Sequence, residues 1–132
     1  MKPIKIIVTG ASGRMGQTII KKVLSNKSLK LIGVTEDSKN KFLGSDISEL
    51  IKSKKTGKII TDKIEPLFAK ADAVIDFTIP IATLNHAKMA AKYKIVHVIG
   101  TTGFSRSDEK KIGLAAKKTT IIKSGNMSMG IN

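Results

Sequence analysis

The stretch that decides the fold runs from Ile4 to Gly16, I-K-I-I-V-T-G-A-S-G-R-M-G. A β-branched run (Ile4, Ile6, Ile7, Val8) breaks into glycines at Gly10, Gly13 and Gly16, and apolar residues then recur at helical spacing: Met15, Ile19, Ile20, Val23, Leu24. The pattern reads as strand, glycine turn, helix. A glycine at the strand's end lets the chain reverse, one at the helix start lets a phosphate approach bare backbone, and one further in lets helix and strand pack closely. The first N–H groups of the helix and the positive end of its dipole then face an anion. Glycine spacing alone also fits a tight turn with no ligand, so G-x-x-G-x-x-G is a weak variant of the dinucleotide fingerprint. A second signal strengthens it. Leu29 to Val34 reads as the next strand, and Glu36 stands just past its end, 20 residues beyond Gly16. A carboxylate there can accept both hydroxyls of an adenosine ribose.

Outward from this unit, strands alternate with helices. The helix after the glycine turn spans about Arg14 to Ser25, with its apolar residues on one stripe. Asp37 to Lys58 reads as a long surface excursion with one helical turn at Ile47, Leu50 and Ile51. Short elements follow: a strand at Ile59 to Thr61 and a helix at Ile64 to Lys70, with Pro66 in its first turn. Ala73 to Phe77 is a strand, and Pro80 opens a helix reaching Tyr93. Val96 to Ile99 is a strand ending in Gly100-Thr101-Thr102-Gly103. Ser107 to Lys118 is a helix with Asp108 and Glu109 in its first turn and Lys117 and Lys118 in its last, and Thr120 to Ile122 is the final strand. Parallel strands with right-handed crossovers would bring Gly10 to Gly16, Asp76 to Thr78 and Gly100 to Gly103 to one sheet edge.

At 132 residues and 41% hydrophobic content, the chain suits one α/β domain over residues 1–132. It has no cysteine and no apolar run near membrane-spanning length, and Met1 leads straight into a strand, so a cytoplasmic protein without a signal peptide is the expectation. The net charge of +14 invites a nucleic-acid reading. Against it, lysine supplies all the basic residues except Arg14 and Arg106, the lysines are scattered, and only four Phe and Tyr93 are available to stack on bases. Solvated lysine faces explain the charge better. His86 and His97 fall inside a helix and a strand, where packing explains them, and Asp76 at a strand's end suits ordering of the adjacent loop. No catalytic set and no metal-ligand cluster is evident.

Four segments in order, G-A-S-G-R-M-G, D-F-T, G-T-T-G-F and S-G-N-M-S-M-G-I-N, together with L-G-S-D and T-L-N-H-A, resemble dihydrodipicolinate reductase. That family is the NAD(P)H-dependent 4-hydroxy-tetrahydrodipicolinate reductase of diaminopimelate and lysine biosynthesis, and the resemblance covers essentially the whole chain. It implies a Rossmann-type doubly wound parallel sheet. It further implies that Gly10, Ala11, Ser12, Gly13, Arg14 and Met15 hold the cofactor's pyrophosphate and that Glu36 takes the ribose. Phe77 and Thr78 would line the cleft, while Gly100, Thr101, Thr102, Ser124, Gly125, Asn126 and Met127 would lie at the nicotinamide.

Some members of the family carry an arginine after the ribose-binding acid, placed for the 2′-phosphate of NADPH, whereas this chain has Asp37. Two like charges a few ångströms apart near a protein surface cost on the order of a few kcal/mol before screening, and Lys39 and Lys41 offset only part of that, so NADH should serve at least as well as NADPH. The family's substrate domain, with E-x-H-H-x-x-K-x-D-A-P-S-G-T, and its returning C-terminal helix have no counterpart here. The expectation is a dinucleotide-binding portion without catalytic residues, binding cofactor but not turning over substrate. The family's tetramer forms largely through the substrate domain, so this portion is expected to be monomeric or to associate through exposed apolar surface. The alternative is a stand-alone dinucleotide-binding module.

Overall fold

A computed structural model describes residues 2–123. Six strands form one parallel sheet in the order β3-β2-β1-β4-β5-β6. They are β1 (Ile4–Thr9), β2 (Leu29–Thr35), β3 (Ile60–Thr61), β4 (Ala73–Asp76), β5 (Val96–Ile99) and β6 (Ile121–Lys123). The helices are α1 (Arg14–Ser25), α2 (Ser48–Ile51), α3 (Glu65–Phe68), α4 (Pro80–Tyr93) and α5 (Arg106–Ala116). The sheet grows outward from β1 in both directions, toward β2 and toward β4, which opens a crevice at their carboxyl ends.

Alternating residues of β1 feed two cores. Ile6 and Val8 pack with Ile20 and Val23 of α1 and with Ile47, Leu50 and Ile51. Ile7 packs on the other face with Phe68, Val74, Ala90 and Ile95. Ile7, Val8, Val34 and Val74 are fully buried, which is why these strands read as continuous apolar runs. Each such side chain contributes about 1.5–3 kcal/mol on leaving water. Farther out the sheet is less covered: Val96 and Val98 are half-buried and Ile122 is 37% exposed.

Two readings change on contact with the structure. The segment from Asp37 to Lys58 is no mere surface excursion, because Ile47 is fully buried and Leu50 and Ile51 join the first core. What holds the segment down is Asp46, whose carboxylate accepts from the backbone of Ser48, Thr56 and Gly57 and from the Thr56 hydroxyl. The Ser48 backbone N–H, foremost among these donors, keeps the Asp46 carboxyl well below the usual carboxylate range. The other change is at α5. It starts at Arg106 behind an N-cap at Ser105 and ends at Ala116, leaving Lys117 as the C-cap rather than a last-turn residue. Asp108 and Glu109 do lie in its first turn.

Candidate functional site

The site is built at the end of β1. Gly10 has φ +73°, and a Cβ on it would stand 2.4 Å from the Phe77 carbonyl oxygen, so the turn admits no side chain there. A Cβ on Gly16 would lie 2.2 Å from the Gly10 carbonyl oxygen, which requires glycine where the helix passes its own turn. Gly13 differs. Its φ of −72° is ordinary, and a Cβ would meet only the Gly10 carbonyl oxygen, at 3.5 Å. Nothing within the described protein demands glycine at position 13. That residue is the N-cap of α1, which has no side-chain cap and no acid in its first turn. No side chain of the helix's own cap or first turn answers the positive end of this 12-residue helix.

Glu36 lies beside this turn. Its Oε2 accepts from the Ser12 N–H at 2.7 Å and from the Ser12 hydroxyl, and Asn40 Nδ2 donates to the same hydroxyl at 3.0 Å. The carboxylate thus braces the glycine turn while Oε1 makes only a long contact, 3.3 Å, with the Asp37 N–H. Across the crevice, Asp76 Oδ1 accepts from Thr9 Oγ1, the Thr78 N–H and Thr78 Oγ1. The Thr101 hydroxyl accepts from the Thr78 N–H at 3.1 Å and from Thr83 Oγ1 at 2.8 Å. These bonds join the loop after β4 to the loop after β5. Phe77 lies against Gly100, where any Cβ would come within 2.0 Å of its ring.

The resulting cleft has a volume of about 510 Å³. Of the residues singled out in the sequence as cofactor-binding, Gly10, Ser12, Gly13, Glu36, Phe77 and Thr78 line it, as does Asp37, whereas Ala11, Arg14, Met15, Gly100, Thr101 and Thr102 are not among its lining residues. Ala11 is buried beneath the turn, and Arg14 and Met15 are exposed at the start of α1. Thr101 is buried, its hydroxyl oxygen accepting from Thr78 and Thr83, while Thr102 is exposed. Ser124, Gly125, Asn126 and Met127 lie outside the described residues.

Sequence reasoning missed the cleft's far wall, formed by Asp62 and Ile64 after β3 and by Ile79, Ala82, Asn85 and His86 at the start of α4. The signal was available: positions 79, 82 and 86 share one helical face just after a strand that ends at the site. It also missed that both histidines meet one carboxylate. Asp76 Oδ2 lies 2.9 Å from His86 Nδ1 and 2.9 Å from His97 Nε2. Burial pushes the Asp76 carboxyl up, but the hydrogen bonds from His86 and His97 outweigh it and hold the group well below the usual carboxylate range. No group of side chains suited to a metal ion is present among the described residues, and no helix among them is long and apolar enough to cross a membrane.

A family model described as dihydrodipicolinate reductase, N-terminus, matches residues 4–127. The chain belongs to that family. Among its relatives, a 4-hydroxy-tetrahydrodipicolinate reductase of Brucella abortus (strain 2308) is 50% identical over 127 residues, covering 96% of this chain and 47% of the relative. That of Parvibaculum lavamentivorans is 48% identical over 130 residues, covering 98% and 48%. The chain thus spans about half the length of the curated relatives it matches. Among solved structures, a dipicolinate-bound dihydrodipicolinate reductase from Paenisporosarcina sp. TG-14 superposes with a TM-score of 0.67 at 25% identity, covering 86% of this chain and 43% of that one. An amine dehydrogenase from Mycobacterium smegmatis shares the fold alone, with a TM-score of 0.70 at 17% identity, covering 89% and 37%. The six-stranded sheet is therefore the Rossmann-type sheet of a dihydrodipicolinate reductase.

Proposed function

We propose that this chain is the dinucleotide-binding portion, over residues 1–132, of an NAD(P)H-dependent 4-hydroxy-tetrahydrodipicolinate reductase. Gly13 carries the reading: it is a glycine that the surrounding protein does not require, at the uncapped N-terminus of α1, facing the cleft that Glu36 borders. A missing Cβ at that point suits close approach of a diphosphate to the N–H groups of residues 13–15. The residues present fit the group.

In this reading the first turn of α1 binds the diphosphate, and Arg14, exposed at its start, adds a positive charge. Glu36 Oε1 accepts from the adenosine ribose while Oε2 stays on Ser12, so sugar recognition and the shape of the glycine turn share one carboxylate. Phe77 and Thr78 wall the middle of the cleft, and Gly100, Thr101 and Thr102 approach the nicotinamide through backbone and the exposed Thr102 hydroxyl, with Ser124 to Met127 completing that end. A reduced nicotinamide supplies a hydride when bound. The chain's own residues bind and orient it.

The proton donor and the carboxylate-binding groups of the family belong to its substrate domain. Among the described residues both histidines are engaged by Asp76. On this reading the described residues seat and orient the cofactor and do not themselves supply the proton donor. For cofactor choice, Glu36, Asp37 and Asp62 line the sugar end of the cleft and, among the described residues, neither lysine nor arginine does. That charge favours NADH over a 2′-phosphorylated dinucleotide. Calorimetric titration with NADH and NADPH tests the reading. Saturable binding of NADH at one per chain, at least as tight as NADPH, supports it; no heat from either with a folded sample overturns it.

A further inference from the structure

Helices α4 and α5 meet through small side chains. Ala87, Ala91 and Ala115 make the buried contact between them, with Ile121 packed against it. Alanines let two helices approach but fill little of the space outside the contact. There a groove of about 760 Å³ opens toward the carboxyl ends of both helices, away from the cleft beside the start of α4. Its floor is apolar, formed by Leu84, Ala91, Leu114 and Ala115, and Leu114 is 62% exposed. A single exposed leucine is ordinary. Its surroundings here are not.

The rim carries one sign of charge. Lys88 and Lys92 stand on the α4 side, Lys111, Lys117 and Lys118 on the α5 side, and among the described residues no acid lines the groove. The helix dipoles account for part of this, since Lys92 lies in the last turn of α4 and Lys117 and Lys118 lie at the end of α5. Lys92 is also paired with Glu65. Neither explanation reaches Lys88 and Lys111. Both are exposed in the body of their helices, and neither makes an ion pair among the described residues. The fold has gathered like charges on both sides of an apolar strip, where they repel one another until an anion lies between them.

We infer that this groove docks an acidic amphipathic helix of a partner protein, its aliphatic side chains seated on Leu84 and Leu114 and its carboxylates paired with Lys88 and Lys111. Recognition of this kind reads anchors at i, i+3, i+4 and i+7 along the bound helix. Charge complementarity selects the occupant. A second copy presenting the same groove would set lysine against lysine. Single-stranded nucleic acid needs aromatic rings on which its bases stack, and none lines the groove. A flat lipid surface would meet the lysines without reaching a floor recessed between two helices.

The test is a fluorescence anisotropy titration of the full chain against a labelled synthetic peptide with leucine at every third or fourth position and glutamate between. Binding on the order of tens of micromolar is expected at low salt, and the same peptide with serine for leucine should bind at least about tenfold more weakly. Lys88→Glu combined with Lys111→Glu should weaken the leucine peptide at least about tenfold. Lys21→Glu combined with Lys22→Glu, the same change of charge at exposed positions of α1, should leave it within about twofold. Leu114→Ser, at an exposed position, should cost about fivefold, with thermal melts confirming that each variant is folded. Equal affinity for the two peptides, or equal losses from the two charge reversals, overturns the inference, because either result is attraction by net charge alone. No binding of the leucine peptide overturns it as well. So does tighter binding to phosphatidylglycerol vesicles that is lost with Lys88→Glu and Lys111→Glu, which would assign the surface to a membrane.

Discussion

Helices α1 and α5 each follow a strand of one parallel sheet and start at its carboxyl edge, yet their first turns are finished in opposite ways. At α5 the Ser105 hydroxyl accepts from the Asp108 N–H, Asp108 accepts from the Ser105 N–H, and Glu109 adds a second negative charge. The donors of that turn and its dipole are answered from within the chain. At α1 the N-cap is Gly13, with neither a side-chain cap nor an acid in the turn. One helix is complete in itself. The other has no such finish within its own turn, and it starts where Glu36 and the Phe77–Thr78 loop border a cleft.

The sharpest way to break the comparison is to finish α1 as α5 is finished. Gly13→Asp supplies a cap where a Cβ makes only an ordinary contact with the Gly10 carbonyl oxygen. Thermal stability should therefore hold within a few tenths of a kcal/mol, the new cap being set against the nearby Glu36 charge. Affinity for NADH should fall at least about 100-fold, because a carboxylate then occupies the position of the diphosphate. Calorimetry and thermal melts on one sample read both quantities. Loss of stability along with binding would mean that position 13 serves the fold.

A smaller effect follows from asking what steadies the uncapped side. Thr9, at the end of β1, and Thr78 are both tied to the buried Asp76, so the turn leans on that carboxylate. Asp76→Asn should cost about 2 kcal/mol in a denaturant titration, since an amide cannot accept from five donors. Because the folded carboxyl is held below its unfolded value, its contribution is complete at neutral pH and disappears as pH falls from about 4 downward. Acid unfolding of the Asn variant should be correspondingly shallower. An unchanged acid profile would argue against the ionised network.

Removing the cap of α5 is the converse test. Ser105→Ala should cost about 1 kcal/mol and leave NADH affinity within about twofold. The smallest effect concerns the sugar end: Asp37→Ser should improve NADPH binding several-fold, on the order of 1 kcal/mol or less at an exposed position, with NADH unchanged. A gain for NADH of equal size would show that Asp37 acts on the shared dinucleotide and not on the 2′-phosphate.

Much of this contrast could be read from sequence, because it lies in local chemistry. The run from Ile4 to Gly16 announces strand, turn and helix within 13 residues, and alternating strands and helices dictate a parallel sheet once each element is placed. Glu36 was found by its distance from Gly16. What stayed hidden depends on contacts between distant positions. Nothing local in L-G-S-D shows that Asp46 will gather the backbone of Thr56 and Gly57 and press Ile47 into a core. In the same way, His86 and His97 each look like ordinary packing residues until β4, β5 and α4 bring them to one oxygen of Asp76. Gly13 is the subtlest case, since its spacing is shared with glycines the fold needs and only the ordinary contact a Cβ would make there sets it apart from them.

The most direct test of the central claim is the amide NMR spectrum of the ¹⁵N-labelled protein titrated with NADH. The account predicts that the largest saturable shifts fall on the N–H groups of Gly13, Arg14 and Met15, while those of Arg106, Ser107 and Asp108 stay in place. Binding that leaves the start of α1 unmoved, or that shifts the start of α5 as strongly, would contradict it.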